Sequence, residues 1–341
     1  MYLLNKEKLK VGDLIFTRDE SPTSRAIRKS LGCDYSHVLI YVTDSSCIHA
    51  DGDGVHSVNI QRMLFKNSND VQVMRCIETK EWTEVRLKEL CKLARSQIGT
   101  EYTKTKALKA GIAYKTGFSK KSKNEPLQFC SKLVAESYEY AGIKISKDYT
   151  LCTPAELLLS KSFSVIESVS EVATEEEIEF ANDSMKNSVS KQTNITNELL
   201  RNVRAISNNK IQTIEDVLDL ALHNVELDKA VAKIINESGY LKMWADDIVK
   251  NQSRYFKINY PDSVIKIMNE EGPQREINMA NEDIERFNEY RYGLLQRKAK
   301  QPFDSETLLQ HINLYQILIS LAYQRKEVFE YILKRRMQIV C

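Results

Sequence analysis

The sequence predicts an α+β domain built on one antiparallel sheet, followed by a second domain that is entirely helical. Residues 12–80 are rich in short apolar and β-branched runs, whereas the apolar residues of 81–142 recur at helical spacing. Helical patterns resume near residue 170. Strands followed by helices indicate an α+β layer structure, and 341 residues exceed the usual size of one core. We therefore predict domains over 1–168 and 169–341.

Five strands are predicted in the first domain. They are short runs bounded by turn residues, and they cover residues 12–17, 36–43, 47–50, 54–60 and 71–77. Asp51-Gly52-Asp53-Gly54 predicts a turn between the third and the fourth of these strands.

Two helices follow the strands, and glycine marks the end of each. The first is predicted over 85–98 before Gly99, and the second over 130–141 before Gly142. In the second domain, Thr213-Ile214-Glu215-Asp216 resembles a capping box. An apolar stripe from Leu308 onward predicts one long terminal helix.

Charge is distributed unevenly along the chain. Residues 1–165 hold 26 Lys and Arg against 19 Asp and Glu, and residues 166–341 hold 23 against 28. Seven lysines and no acid lie within 104–123, which indicates a solvated surface or a contact with anionic lipid. No apolar run is long enough for a signal peptide or a membrane span, so we expect a cytoplasmic protein that binds no nucleic acid.

Neither a metal nor a cofactor is predicted. The seven cysteines include no C-x-x-C pair, which argues against a zinc finger and against a disulfide framework. The acidic turn at Asp51 is not an EF-hand, because its twelfth position is Arg62 rather than glutamate.

Cys130 is the best candidate for a catalytic thiol. It opens the predicted helix 130–141, where free amides and the helix dipole favour a thiolate. It shares a face with Leu133 and Val134, which should pack on the sheet. Cys152, which precedes Thr153-Pro154, is the competing candidate.

Two histidines lie on neighbouring predicted strands. His37 opens the strand 36–43 and His49 lies on the next, and a three-residue loop between them sets Leu39 opposite His49. His37 is then the diagonal neighbour of His49 on the same face, within reach of its imidazole. A thiol hydrolase needs such a base and such an orienting group.

These segments resemble a known family. Ser36-His37-Val38-Leu39-Ile40-Tyr41-Val42 with Ile48-His49-Ala50 is similar to the histidine strands of NlpC-type papain-like cysteine hydrolases. Phe129-Cys130-Ser131-Lys132-Leu133-Val134 is similar to their nucleophile helix. Because the cysteine follows the histidines, the chain resembles the circularly permuted branch, the YiiX/YaeF-like amidases and their lecithin:retinol acyltransferase-like relatives. The resemblance covers roughly residues 10–160.

The resemblance implies a permuted papain-like domain with Cys130 as nucleophile, His37 as base and His49 as third residue. Asp51 is the alternative third residue, because many permuted members carry an acid there. Tyr35 and Gln128 are candidate oxyanion donors beside the Cys130 amide.

Three functions are compatible with this site. The first is an amidase or peptidase that acts on a peptide or acyl-amide. The second is a lipid thiol-esterase or acyltransferase at an anionic membrane. The third is a catalytically silent scaffold whose helical domain binds a protein partner or a second copy.

Overall fold

The computed structural model describes residues 1–43, 45–77, 83–102, 128–207 and 211–340. The lysine-rich segment 104–123 lies outside these residues. The chain divides into two compact units. The first comprises residues 1–193 with 212–214, and the second comprises residues 194–211 and 215–341. The predicted boundary after residue 168 stays a prediction.

A six-stranded antiparallel sheet is the centre of the first unit. Its spatial order is β5-β4-β3-β2-β6-β7. These strands are β2 Leu14–Thr17, β3 His37–Thr43, β4 Ser46–Asp51, β5 Gly54–Asn59, β6 Val71–Cys76 and β7 Phe163–Ile166. The predicted antiparallel sheet is confirmed, and all five predicted strands belong to it.

Three strands are too short to give a sequence signal. They are β7, β1 Tyr2–Leu4 and β8 Ser170–Val172, and β1 pairs with β8 in a separate two-stranded sheet. These strands hold too few side chains to show alternation, and none of them belongs to a longer apolar run like the one that predicts β2.

Both faces of the main sheet are buried, which explains why β2 and β3 are apolar on both sides. Val38 and Ile40 pack in a core that also contains residues of the helices over 84–96 and 130–140. Leu39 and Tyr41 pack in a second core on the opposite face. The sheet is therefore the middle layer of the unit.

The described residues of the first unit form five α-helices, besides the start of a sixth. They are α1 Pro22–Leu31, α2 Glu84–Ser96, α3 Cys130–Tyr140, α4 Pro154–Leu158 and α5 Glu175–Asn182. The predictions for α2 and α3 are confirmed to within two residues at each end. The β-rich region 12–80 also contains α1, which the sequence analysis did not predict. Ser21 caps its first turn, and Gly32 ends it with φ of +67°.

The second unit is helical. Its elements are most of α6 Ser188–Ser207, then α7 Ile214–His223, α8 Val225–Ser238, α9 Met243–Lys250, α10 Asp262–Ile267, α11 Glu271–Lys300 and α12 Glu306–Val340. The predicted terminal helix is confirmed, and α11 and α12 pack along one another. None of the helices within the described residues is long and apolar enough to span a membrane.

Candidate active site

Cys130 is the first residue of α3, and its thiol faces the sheet as predicted. The extended backbone of Phe129 directs the chain into the helix. Cys130, Leu133 and Val134 pack in the same core as Val38 of β3. The ladder between β3 and β4 runs only from Ile40↔Ile48 to Thr43↔Ser46. The Val38 amide therefore lies beyond the end of that ladder, close enough to the Cys130 sulfur to favour its thiolate form.

Burial controls the protonation of this thiol. It raises the pKa of Cys130 to about 11, although the amides of Val38, Ser131 and Cys130 itself act in the opposite direction. The resting cysteine is consequently a neutral thiol near pH 7.

His37 and His49 contact one another directly. His37 Nε2 lies 2.8 Å from His49 Nδ1, and the two rings meet edge to face. Continuing the β3–β4 register by one residue sets Leu39 opposite His49, which is the predicted arrangement. The predicted diagonal contact between these imidazoles is confirmed.

Asp51 and His56 extend this pair into a cluster of four side chains. His56 lies directly across the β4–β5 ladder from His49, and their ring centroids are 4.3 Å apart. His56 Nε2 is 2.9 Å from Asp51 Oδ1, while Asp51 Oδ2 is 3.8 Å from His49 Nδ1. Asp51, the alternative third residue, therefore lies beside both His49 and His56.

Burial makes the two inner histidines neutral. It lowers the pKa of His37 to about 4, and together with the adjacent imidazoles it holds the pKa of His49 well below its usual value. Burial is the largest single effect on His56 and lowers its pKa, but the hydrogen bond and charge of Asp51, with smaller contributions from Ser57 and Asp53, together raise the pKa of His56. Burial favours the neutral form of Asp51 as well, yet the His56 hydrogen bond and the adjacent imidazoles keep its pKa low.

The thiol and the base are neighbours along β3 rather than hydrogen-bonded partners. The Cys130 sulfur lies at the amide of Val38, the residue that follows His37. Within the described part of the chain, no hydrogen bond joins the thiol to His37. Strand alternation places His37 with Leu39, on the face opposite to Val38. The two groups can therefore meet only around the open end of the strand pair.

The two predicted oxyanion donors, Tyr35 and Gln128, donate hydrogen bonds to other residues. The Tyr35 hydroxyl donates its hydrogen to the carbonyl of Asn69. Gln128 Nε2 uses both of its hydrogens, one on Gln97 Oε1 at 3.1 Å and one on Glu136 Oε2 at 2.6 Å. This geometry argues against the predicted role of both side chains.

Tyr102 is a neighbour of the thiol to which the sequence assigned no role. Burial, with a further contribution from the Cys130 charge, raises the pKa of Tyr102 to about 12. The phenol thus lies within electrostatic range of the sulfur and keeps its proton. His56 was also missed. The turn at Asp51 would have predicted it, because a two-residue loop from Asp51 to Gly54 sets His49 opposite His56.

Cys152, the competing cysteine, lacks the features of a nucleophile. Its side chain is fully buried, and burial raises its pKa well above the usual value. Among the described residues, no histidine is hydrogen bonded to it, and its carbonyl accepts the hydroxyl of Ser131.

A buried helix that begins with cysteine, preceded in sequence by a sheet that carries paired histidines, defines a permuted papain-like domain. Residues 8–157 match the family of permuted papain-like amidases, YaeF/YiiX, C92 family. The match covers less than half of the chain, and it supports the hydrolase class for this part of it. No curated protein matches the chain. One solved structure that it resembles is metalloprotein YiiX from Escherichia coli O157:H7. That chain is 16% identical, covers 47% of this chain and 97% of its own, and gives a TM-score of 0.36.

We expect alkylation of Cys130 to accelerate with pH well beyond neutrality. Because burial favours the protonated thiol, its thiolate fraction rises about tenfold per pH unit up to the pKa of about 11. The rate with iodoacetamide, followed at the Cys130 peptide by mass spectrometry, should rise continuously from about pH 7 to about pH 10. A rate that levels off below pH 7 would contradict this expectation, because it would indicate a preformed thiolate–imidazolium pair.

Proposed function

We propose that the chain is a cysteine hydrolase, an amidase or peptidase that cleaves a peptide or acyl-amide bond through a thioester on Cys130. The observation that carries the proposal is the 2.8 Å contact between His37 Nε2 and His49 Nδ1. This contact fixes the orientation of the His37 ring. It leaves His37 Nδ1 available to accept a proton from the Cys130 thiol. Such an arrangement of base and orienting group is that of a catalytic triad.

The protonation states support general-base catalysis rather than a resting ion pair. To accept a proton at Nδ1, neutral His37 must carry its own proton on Nε2 and donate it to His49 Nδ1. His37 takes the Cys130 proton as the sulfur attacks the carbonyl carbon. The tetrahedral intermediate then expels the amine, which receives that proton from His37.

Hydrolysis of the thioester reverses these roles. His37 removes a proton from water as the water attacks the thioester carbonyl, and the C–S bond breaks to release the acid and the thiol. The oxyanion in both steps is held by the Cys130 amide, and Tyr102 replaces Tyr35 and Gln128 as the side-chain donor. Approach of His37 to the sulfur accompanies substrate binding, since catalytic hydrogen bonds often form only in the complex.

An active-site-directed acyl-amide probe with a chloroacetyl group tests the proposal at neutral pH. We expect labelling of the native chain, with the modified residue identified as Cys130 by peptide mass spectrometry. Labelling should be lost in Cys130→Ala and retained in Cys152→Ala, which serves as the matched control because both cysteines are buried. A native chain that is not labelled, or labelling that persists in Cys130→Ala, would favour the scaffold function instead.

A further inference from the structure

Three side chains of the types that bind transition metals converge on the β4–β5 hairpin. One ligand atom from each of His49, Asp51 and His56 lies within 4.8 Å of the other two. We propose that these residues form a binding site for a divalent transition-metal ion such as Zn²⁺. The site shares Asp51 with the turn that lacks the EF-hand pattern, but its other two ligands are histidines.

The hairpin itself builds the site. The turn pairs Asp51 with Gly54 and His49 with His56, so the two histidines face one another across the ladder. Asp51 lies two residues after His49 and therefore points to the same side of β4. Its two oxygens already approach both rings, at 2.9 Å from His56 Nε2 and 3.8 Å from His49 Nδ1. Because His49 Nδ1 already contacts His37 Nε2, the metal would take His49 through Nε2, and bonds of about 2.0–2.2 Å require the three side chains to rotate toward a common centre.

A buried atom without a partner points independently to a ligand. His49 is 8% exposed, and its Nε2 has no hydrogen-bond partner among the described residues. Buried imidazole nitrogens are normally satisfied, so this one is a candidate for coordination. Asp51 is 38% exposed, which leaves an opening through which a cation and its water can enter.

The donor set selects the class of cation. Two imidazoles and one carboxylate suit zinc, cobalt, nickel and ferrous iron, whereas magnesium and calcium prefer oxygen ligands alone. Three protein ligands also leave a coordination position for water.

Occupancy would switch off the thiol chemistry, a consequence that rests on the proposed function. A histidine that binds metal through Nε2 carries its proton on Nδ1. His49 would then donate to His37 Nε2, and neutral His37 would hold its proton on Nδ1. In that tautomer His37 cannot accept a proton from Cys130, so the metal acts as an inhibitor.

Metal binding is best measured in the full chain carrying Cys130→Ser, which removes the nearby thiolate as a ligand. We expect calorimetric titration with ZnCl₂ to show one tight site. Co²⁺ at that site should give ligand-field bands without a sulfur charge-transfer band. His56→Gln and Asp51→Asn, added one at a time, should each weaken binding at least about tenfold. His223→Gln, which changes a histidine exposed at the end of α7, should leave binding unchanged.

If His56→Gln and Asp51→Asn both bind Zn²⁺ as tightly as the parent Cys130→Ser chain, the proposed site is wrong. A sulfur charge-transfer band with Co²⁺ would also contradict it. Circular dichroism of each variant separates loss of ligand from loss of fold. The titration does not depend on turnover, so it tests the metal site independently of the hydrolase proposal. Zn²⁺ inhibition of the native chain that His56→Gln relieves would support the switch, and inhibition that His56→Gln leaves intact would refute it.

Discussion

His37→Ala should lower turnover of an activated ester such as p-nitrophenyl acetate by about 10³-fold, with little change in stability. Without this imidazole, the proposed base for the thiol proton is lost. A thiol whose pKa is about 11 then supplies almost no thiolate near pH 7. The side chain is partly exposed and lies at the first residue of its strand, so the fold should tolerate its loss. The measurements are kcat/KM and the melting temperature.

His49→Ala should have a smaller effect on the same reaction, because an orienting group is partly replaced by water or by Asp51. His223→Ala is the matched control, since it removes an exposed histidine from the helical unit. Near-normal turnover of His37→Ala at an unchanged melting temperature would remove His37 from the mechanism and leave the family fold without its assigned base.

The sequence predicts the histidine pair well because local geometry determines it. A short loop between two strands sets the register, and the register alone decides which side chains are diagonal neighbours. The same reasoning applied to the turn at Asp51 would have found His56. Cys130 is equally local, since its position depends only on where α3 begins.

The oxyanion donors could not be predicted in this way. The partners of Tyr35 and Gln128 come from residues 34 and 31 positions away along the chain, in Asn69 and Gln97. Such contacts depend on tertiary packing, which periodicity does not encode. The distance between Cys130 and His37 could not be predicted either, because the sequence of two paired strands does not show where their hydrogen-bonded ladder ends.

A buried ion pair near the start of β2 illustrates this limit and gives a large expected effect on stability. Asp13 is 1% exposed and accepts two 2.7 Å hydrogen bonds from the Arg75 guanidinium. It also accepts the amide of Lys10 at 2.8 Å. Arg75 belongs to β6, which pairs with β2, so this contact ties two central strands together near one end of the sheet.

Asp13→Ala should destabilise this part of the sheet by roughly 3 kcal/mol. Removal of the carboxylate leaves the Lys10 amide without this acceptor and the largely buried Arg75 guanidinium without its counter-charge, although the guanidinium keeps its hydrogen bond to the Lys8 carbonyl. Hydrogen exchange of peptides covering β2 and β6, measured by mass spectrometry, reports this local opening free energy without assuming that the two units unfold together.

Asp34→Ala is the control, because it removes an exposed acid from the same unit and should change exchange little. Arg75→Ala should destabilise the strands by a comparable amount, and the double variant should cost clearly less than the two single changes added together. Additive effects would mean that Asp13 and Arg75 stabilise the strands independently. The start of β2 would then owe its stability to the apolar residues of that strand rather than to this ion pair.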